Sequence, residues 1–134
     1  MVVKIVSEEF LETYYLRLSW EKLIGLFMTS LTIHLTGLKI MPKNEPCPVG
    51  QEIMTKERCL EAQKVAYWFG LQPRRNVLQI GDWDNVPSYC SVQANTEEQW
   101  AKDDVHWSTN WNSDNSRFKS GEFQMICEAG NNIF

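Results

Sequence analysis

The sequence predicts an α+β domain in which one helix packs on a small antiparallel sheet, with two disulfides and a helical, hydrophobic N-terminal segment. Three observations predict this fold class. Apolar residues recur at helical spacing over residues 56–69, four short stretches downstream have the composition of strands, and four cysteines are spread among them. A chain of 134 residues allows one small domain with an appendage.

A proline-rich junction at residues 42–48 divides the chain. Prolines fix the backbone dihedral φ and push the preceding residues out of helical space, so the sequence MPKNEPCP indicates a linker. We therefore predict an N-terminal amphipathic and hydrophobic segment at residues 1–43 and a disulfide-rich globular domain at residues 44–134. All four cysteines and five of the six tryptophans lie in the second part.

The N-terminal segment contains an uncharged stretch at residues 23–38. As a helix it would reach about 24 Å, short of a hydrocarbon core of about 30 Å. Three interpretations stay open: the apolar region of a secretory signal, a short membrane anchor, or a half-buried strand in which Leu31, Ile33 and Leu35 alternate with polar residues. Upstream, Ser7 followed by two glutamates predicts the start of an amphipathic helix.

The globular part is predicted to begin its secondary structure at Thr55, a suitable N-cap for a helix over residues 56–69 that Gly70 ends. Cys59, Ala62 and Ala66 recur at helical intervals, so we expect their face of the helix to be buried. Strands are predicted at residues 76–80, 89–92, 105–108 and 123–127, where β-branched and aromatic residues dominate.

The four cysteines predict two disulfides and an extracellular or lumenal compartment. A zinc site takes its ligands as close pairs, whereas these cysteines are widely spaced: Cys47, Cys59, Cys90 and Cys127. Three pairings are open to four cysteines. We expect Cys59 to pair with Cys90 and Cys47 with Cys127, because the second bond would tie the start of the domain to its end. The alternative is a set of reduced, buried thiols in the cytosol.

The order of the motifs resembles a small four-cysteine module. It comprises Cys47, Cys59 on a helix, the run GDWDNVPSYCSV at residues 81–92, the run VHWSTN at residues 105–110, and Cys127 after Met-Ile. Modules of this kind occur in predicted secreted or membrane-attached proteins of marine algae, other protists and invertebrates. The resemblance covers about residues 47–128 and implies an exported, disulfide-bonded fold; it identifies no catalytic residues. A more distant similarity, to C-type lectin-like domains, rests on the runs WNSD at residues 111–114 and ICE at residues 126–128.

Tryptophans mix with acids and amides in two places, residues 82–85 and 107–115. An indole ring can stack on the apolar face of a sugar while carboxylates and amides bind its hydroxyls. We predict a ligand-binding surface, with carbohydrate as one candidate ligand, from these residues: Trp83, Asp84, Trp107, Asn110, Trp111, Asn112 and Asp114. The alternative is that the tryptophans fill the core and the Asn and Asp residues cap turns.

The sequence contains little evidence for catalytic or cofactor-binding residues. His106 would need an acid, Asp103 or Asp104, and a nucleophile such as Ser91 or Ser108, and the familiar catalytic motifs are missing. We predict that the protein is not an enzyme. Asp103, Asp104 and Asp114 offer oxygen ligands for calcium, but without the regular spacing of a calcium loop, so no cofactor or metal site is predicted.

The composition narrows the class of partner. A net charge of −4 argues against nucleic acid, whose phosphates are bound by basic surfaces. We predict a binding or interaction module, secreted or membrane-attached on the extracellular or lumenal side, with a glycan or protein partner. The alternative is a small structural subunit of a membrane protein complex, anchored by residues 8–41 and meeting the membrane through residues 23–41.

Overall fold

A computed structural model describes residues 20–130 of the chain. The chain divides into two compact units, residues 1–31 and 32–134. The amphipathic helix predicted after Ser7 falls in residues 1–19, outside the described residues. The elements, in chain order, are helix α1 (Trp20–Thr36), strand β1 (Leu38–Ile40), helix α2 (Lys56–Lys64), a 3₁₀ helix (Ala66–Phe69), β2 (Gln79–Gly81), β3 (Tyr89–Val92), a second 3₁₀ helix (Gln99–Ala101), β4 (Val105–Ser108), α3 (Ser116–Lys119) and β5 (Gln124–Glu128).

The strands form one sheet in the order β1-β5-β3-β4-β2. All neighbouring pairs are antiparallel except β2 and β4, which run parallel. One main helix, α2, packs on strands β3 and β4. The predicted α+β class is confirmed.

Helix α2 forms where the sequence predicts it. The Thr55 side chain caps it by accepting a hydrogen bond from the backbone N–H of Arg58 at 3.2 Å. Cys59 and Ala62 point into the core. The predicted single helix over residues 56–69 is divided at Val65 into an α-helix and a 3₁₀ turn, and Gly70 ends the turn with a left-handed φ of 78°.

Both expected disulfides are present. Cys59 on α2 is bonded to Cys90 on β3, and Cys47 in the loop after β1 is bonded to Cys127 on β5. No described cysteine is free. Because such bonds form and persist in oxidising compartments, they indicate an extracellular or lumenal environment.

Both faces of the sheet are covered, which explains why every residue of β4 is buried. On one face Cys90 and Trp107, which are register partners, join Cys59 and Leu38 in the larger core cluster. On the other face Ser91 and His106 are partners. Alternation along a strand therefore does not separate buried from exposed residues here.

The strand interpretation of residues 31–36 is wrong, because helix α1 continues to Thr36. Two of its threonines bond within the helix: Thr29 donates to the Gly25 carbonyl at 2.9 Å and Thr36 to the Thr32 carbonyl at 2.7 Å. The Thr32 hydroxyl instead donates to the Trp68 carbonyl at 3.2 Å. Because each of these hydroxyls has an acceptor, the threonines are compatible with a helix. Within residues 20–130, no helix has both the length and the apolar composition that a bilayer crossing requires.

Strand β1 was not predicted. Gly37 ends α1 with a φ of 67°, and residues 38–40 then pair with β5, which places Leu38 opposite Glu128. Leu38 is 1% exposed and belongs to the core. The compact unit thus begins at Thr32, before the proline-rich junction at which the sequence divides.

Candidate functional site

The two segments rich in tryptophan, acids and amides meet at one end of the sheet. The Nδ2 amide of Asn110 donates to Oδ1 of Asp84 at 3.1 Å. The Asp84 carbonyl accepts from the Asp114 backbone N–H at 2.8 Å and from the Ser113 hydroxyl at 3.1 Å. We call the resulting patch the Asp84–Trp111 surface; it consists of Asp84, Asn110, Trp111, Asn112 and Asp114.

Trp111 is the exposed ring of this surface, with 57% of its area open to solvent. Its centroid lies 4.8 Å from that of Tyr89 and 6.2 Å from that of Trp107. Trp107 itself is only 6% exposed and belongs to the core. Trp107 therefore supports Trp111 from behind, and its own ring is not open to a ligand.

Trp83 lies on the opposite face of the sheet from Trp107. Its half-buried ring meets His106 edge-on with centroids 5.2 Å apart, and His106 points away from Trp107 by strand alternation. Gly81 makes room for it, because a Cβ there would come within 2.5 Å of the Trp83 ring. Five of the seven predicted site residues therefore lie in the Asp84–Trp111 surface. The two exceptions are Trp83 and the buried Trp107.

The polar rim of the surface is exposed and acidic. Asp84, Asn112 and Asp114 are exposed, and Asn110 is half-buried. The Asp114 carboxylate accepts a hydrogen bond from the Ser116 backbone N–H at 2.8 Å, which lowers the pKa of Asp114 below its usual value. The rim thus presents carboxylate and amide groups beside an open indole ring.

Asn110 is fixed by three further contacts. Its Oδ1 accepts from the Asn112 backbone N–H at 2.9 Å, its N–H donates to the Ser108 hydroxyl at 3.4 Å, and its carbonyl accepts from the Ser88 hydroxyl at 2.6 Å. Asn-based turns of this kind hold a loop without regular secondary structure. The residue before Trp111 is therefore held in place by β4 on one side and the turn before β3 on the other.

In the part of the chain that the structure describes, no carboxylate bonds the His106 ring to orient it. Its Nδ1 lies 3.2 Å from the Asp104 backbone oxygen, while the Asp104 carboxylate accepts from the side chain of Arg75 at 2.5 Å. The ring is packed between Trp83 and Phe123. Burial lowers the pKa of His106 to about 4, so the imidazole is neutral near pH 7. Ser91, its register partner, is fully buried and its hydroxyl has no hydrogen-bond partner among the described residues.

The aspartates considered for calcium do not converge. Oδ2 of Asp103 accepts from the Gln72 backbone N–H at 3.0 Å, Asp104 is bonded to Arg75, and Asp114 bonds Ser116. Among residues 20–130, no group of three or more His, Cys, Asp or Glu side chains is arranged to hold a metal ion.

The sequence patterns did not single out Tyr89, which contacts Trp111, or Trp100, which is useful as a control. Tyr89 was identified only as the start of a strand, and its contact with Trp111 depends on a backbone conformation that sequence patterns do not reveal. Trp100 is 62% exposed, and the Arg75 guanidinium lies 4.8 Å from its ring centroid. Trp100 lies in the second 3₁₀ helix and not in either segment of the Asp84–Trp111 surface, which makes it a natural control for Trp111.

The fold and the site define a class: a small, disulfide-bonded α+β domain with an exposed aromatic ring beside an acid and amide rim. No protein-family model, no curated protein and no solved structure matches the chain. The resemblances to the four-cysteine module and to C-type lectin-like domains therefore stay predictions.

Proposed function

We propose that the protein is a binding module of an extracellular or lumenal compartment, secreted or membrane-attached, that recognises carbohydrate at the Asp84–Trp111 surface and performs no catalysis. One observation carries the proposal. Two loops, far apart in sequence, meet through the Asn110–Asp84 hydrogen bond directly beside a tryptophan that is 57% exposed. A small domain gains no core packing from the exposed side of such a ring, which favours a role in recognition.

The chemistry suits a sugar. The outer face of the Trp111 indole provides an apolar platform for the C–H face of a pyranose, and its inner side is backed by Tyr89 and Trp107. Around it, Asp84 and Asp114 supply acceptors and Asn112 supplies both a donor and an acceptor for hydroxyl groups. A platform with polar groups of both kinds is a typical small-ligand arrangement.

The charge of the rim selects among glycans. Asp84 and Asp114 are both exposed, and Lys119 of helix α3 is the cation that acts electrostatically on the Asp114 carboxylate. Like charges at short range disfavour binding, so glycans that bear carboxylate or sulfate groups are poor ligands for this surface. We expect neutral sugars and amino sugars to bind.

The absence of catalysis is proposed from the state of His106. A general base must reach the proton it removes and must carry a pKa near the working pH. His106 meets neither requirement, because it is only 5% exposed and its pKa is about 4.

A glycan array tests this proposal with three proteins: wild type, Trp111→Ala and Trp100→Ala. Trp100 is the matched control because its exposure, 62%, is close to that of Trp111. We expect wild type and Trp100→Ala to bind the same neutral or amino-sugar glycans and Trp111→Ala to lose them. Equal binding by all three proteins, or a preference for sulfated glycans, would contradict the proposal. Repeating the array with a calcium chelator tests whether the binding needs calcium.

A second candidate function follows from helix α1. Ile24, Leu26 and Phe27 are 44%, 62% and 53% exposed. Residues 23–36 of this helix carry no Asp, Glu, Lys or Arg, and an uncharged helical stretch with exposed apolar side chains suits the alternative of a structural subunit of a membrane complex anchored by residues 8–41. In this case wild type should float with phosphatidylcholine vesicles in a density gradient, and the double variant Leu26→Lys/Phe27→Lys should not. Failure of wild type to float would remove this candidate.

A further inference from the structure

Tyr89 begins strand β3 in a backbone conformation that side chains rarely adopt. Its φ is 73°, in the left-handed region, where the Cβ of an L-residue crowds the backbone carbonyl. Asn44, Asp103 and Asn115 also have positive φ, but Asn and Asp tolerate this region better than aromatic residues do. Strained residues of this kind persist where their surroundings hold them, and they cluster at binding and catalytic sites.

The backbone of Tyr89 is held from both sides. Cys90, the next residue, is fully buried and bonded to Cys59. Tyr89 itself pairs with Ser108 in the ladder between β3 and β4. Ser88, the preceding residue, donates to the carbonyl of Asn110 at 2.6 Å. The turn that strains Tyr89 is therefore tied directly to the residue before Trp111.

The ring of Tyr89 lies against the back of the proposed platform. Its centroid is 4.8 Å from that of Trp111, with the planes inclined at 41°, and 6.4 Å from that of Trp107. The ring also packs against both core clusters. The Tyr89 hydroxyl makes no hydrogen bond within residues 20–130, so the contact depends on the ring and not on the hydroxyl.

We infer that Tyr89 is a positioning residue: it holds the indole of Trp111 in one orientation, with one face packed and the other open. The value of this for ligand binding rests on the proposed function, whereas the orientation of Trp111 is a property of the free protein. An indole that is already fixed loses little conformational freedom when a ligand stacks on it, and preorganisation of this kind raises affinity. The strain at Tyr89 is maintained by the disulfide and the sheet.

The test labels the full-length protein with 5-fluorotryptophan and follows Trp111 by ¹⁹F NMR, with its resonance assigned by Trp111→Phe. Tyr89→Gly and Tyr89→Asn remove the ring and suit a positive φ, whereas Tyr89→Phe keeps the ring. We expect the Trp111 resonance of Tyr89→Phe to match wild type. In Tyr89→Gly and Tyr89→Asn it should narrow and move towards the position of a solvent-exposed indole, while the Trp100 resonance stays unchanged.

An unchanged Trp111 resonance in both ring-removing variants overturns the inference. Loss of folding in both also overturns it, because Tyr89 would then be a core residue and not a positioning one. Titration with cellohexaose, laminarihexaose and N-acetylchitohexaose separates this inference from the proposed function. We expect any of these probes that binds wild type to bind Tyr89→Gly about tenfold more weakly.

The two failures are distinguishable. If Trp111→Ala binds a probe as wild type does, the proposed function fails, and the ¹⁹F spectrum still decides the role of Tyr89. If Trp111→Ala loses the probe but Tyr89→Gly binds it as wild type does, the carbohydrate site stands and the positioning role fails.

Discussion

The side-chain amide of Asn110 donates to the carboxylate of Asp84 at 3.1 Å, and this bond joins two loops that are 26 residues apart in the sequence. The Asp84 carbonyl takes part as well, since it accepts from Asp114 and Ser113. One aspartate therefore organises the loop that carries Trp111. The proposed ligand surface depends on this junction rather than on either loop alone.

Asp84→Ala should lower glycan affinity strongly and the free energy of unfolding only slightly. It removes an exposed, charge-assisted hydrogen bond but leaves the Asp84 carbonyl in place, so we expect the free energy of unfolding to fall by about 1 kcal/mol. Glycan affinity should fall about tenfold, because both the loop and one acceptor are affected. Urea denaturation and calorimetric titration measure the two effects. Asp82 is an exposed neighbouring aspartate, and Asp82→Ala is the control that should change neither stability nor glycan affinity. If Asp84→Ala lost well over about 1 kcal/mol of stability while its glycan affinity stayed unchanged, the proposed role of Asp84 in the ligand surface would be contradicted.

The two disulfides should differ in their effect on stability. They link residues 80 and 31 positions apart, and the chain-entropy relation assigns about 4.5 and 3.7 kcal/mol, respectively, to loops of these lengths. We expect the double serine variant of Cys47 and Cys127 to lose more stability than that of Cys59 and Cys90. Thermal unfolding of each variant checks this order.

The Cys59–Cys90 variant carries a second expectation. Because Cys90 follows the strained Tyr89, loss of the Cys59–Cys90 bond should make the orientation of the Trp111 ring less fixed, and loss of the Cys47–Cys127 bond should not.

The intact mass of the native protein, measured with and without reductant, should differ by about 4 Da if both bonds are present in solution. An unchanged mass would contradict the oxidised structure.

His106 predicts a fall in stability on mild acidification. Its pKa is 6.5 in an unfolded chain and about 4 in the folded protein, because burial disfavours the imidazolium. Between these values the unfolded state binds a proton that the folded state does not. The free energy of unfolding therefore falls as pH decreases from 6.5 to about 4, by about 3 kcal/mol in all. Urea denaturation at several pH values, in wild type and His106→Gln, measures this contribution.

The matched comparison isolates the histidine from the acids. Arg117 donates two hydrogen bonds to Glu122 and lowers the pKa of Glu122 to about 2, so the stability that this pair contributes is lost between pH 4.5 and 2, mostly below the His106 range. His106→Gln should flatten the slope between pH 6.5 and 4.5 while it leaves the loss at lower pH. Identical slopes in the two proteins would show that His106 is protonated in the folded state.

Removal of β1 should disrupt the domain. A chain that begins at Asn44 lacks Leu38, which is 1% exposed in the core, and leaves the edge of β5 unpaired. Loss of one buried leucine costs about 2–5 kcal/mol, a large part of the stability of a small domain. We expect the near-ultraviolet circular dichroism of this chain to be lost, and that of a chain beginning at Thr32 to be retained. A native spectrum from the Asn44 chain would show that β1 is dispensable.

Local sequence signals predicted the parts of the fold that depend on local structure. Strands β3 and β4 lie where the β-branched and aromatic runs predicted them, Thr55 caps α2 as expected, and the helical face of Cys59 and Ala62 is buried. Strand β1 escaped prediction because its partner, β5, lies near the other end of the chain. Strand β1 has only three residues and is not joined to β5 by a turn, so its sequence carries no pattern that would indicate a strand.

The sequence predicts the composition of the candidate surface but not its geometry. Both loops were identified, yet their junction through Asp84 is a long-range contact. Trp107 and Trp111 could not be told apart, because the difference between a buried and an exposed ring depends on β4 ending at Ser108. Tyr89 has its positive φ beside two long-range contacts, the disulfide at Cys90 and the pairing with Ser108, and tyrosine carries no preference for that conformation.

Calorimetric titration of wild type, Trp111→Ala and Trp100→Ala with the best neutral or amino-sugar ligand from the array tests the central claim most directly. We predict saturable binding by wild type and Trp100→Ala and a loss of at least about tenfold in affinity for Trp111→Ala, equivalent to about 1.4 kcal/mol. Melting temperatures of the two variants serve as the check that both are folded. Equal affinity of Trp111→Ala and wild type would contradict a carbohydrate site at the Asp84–Trp111 surface.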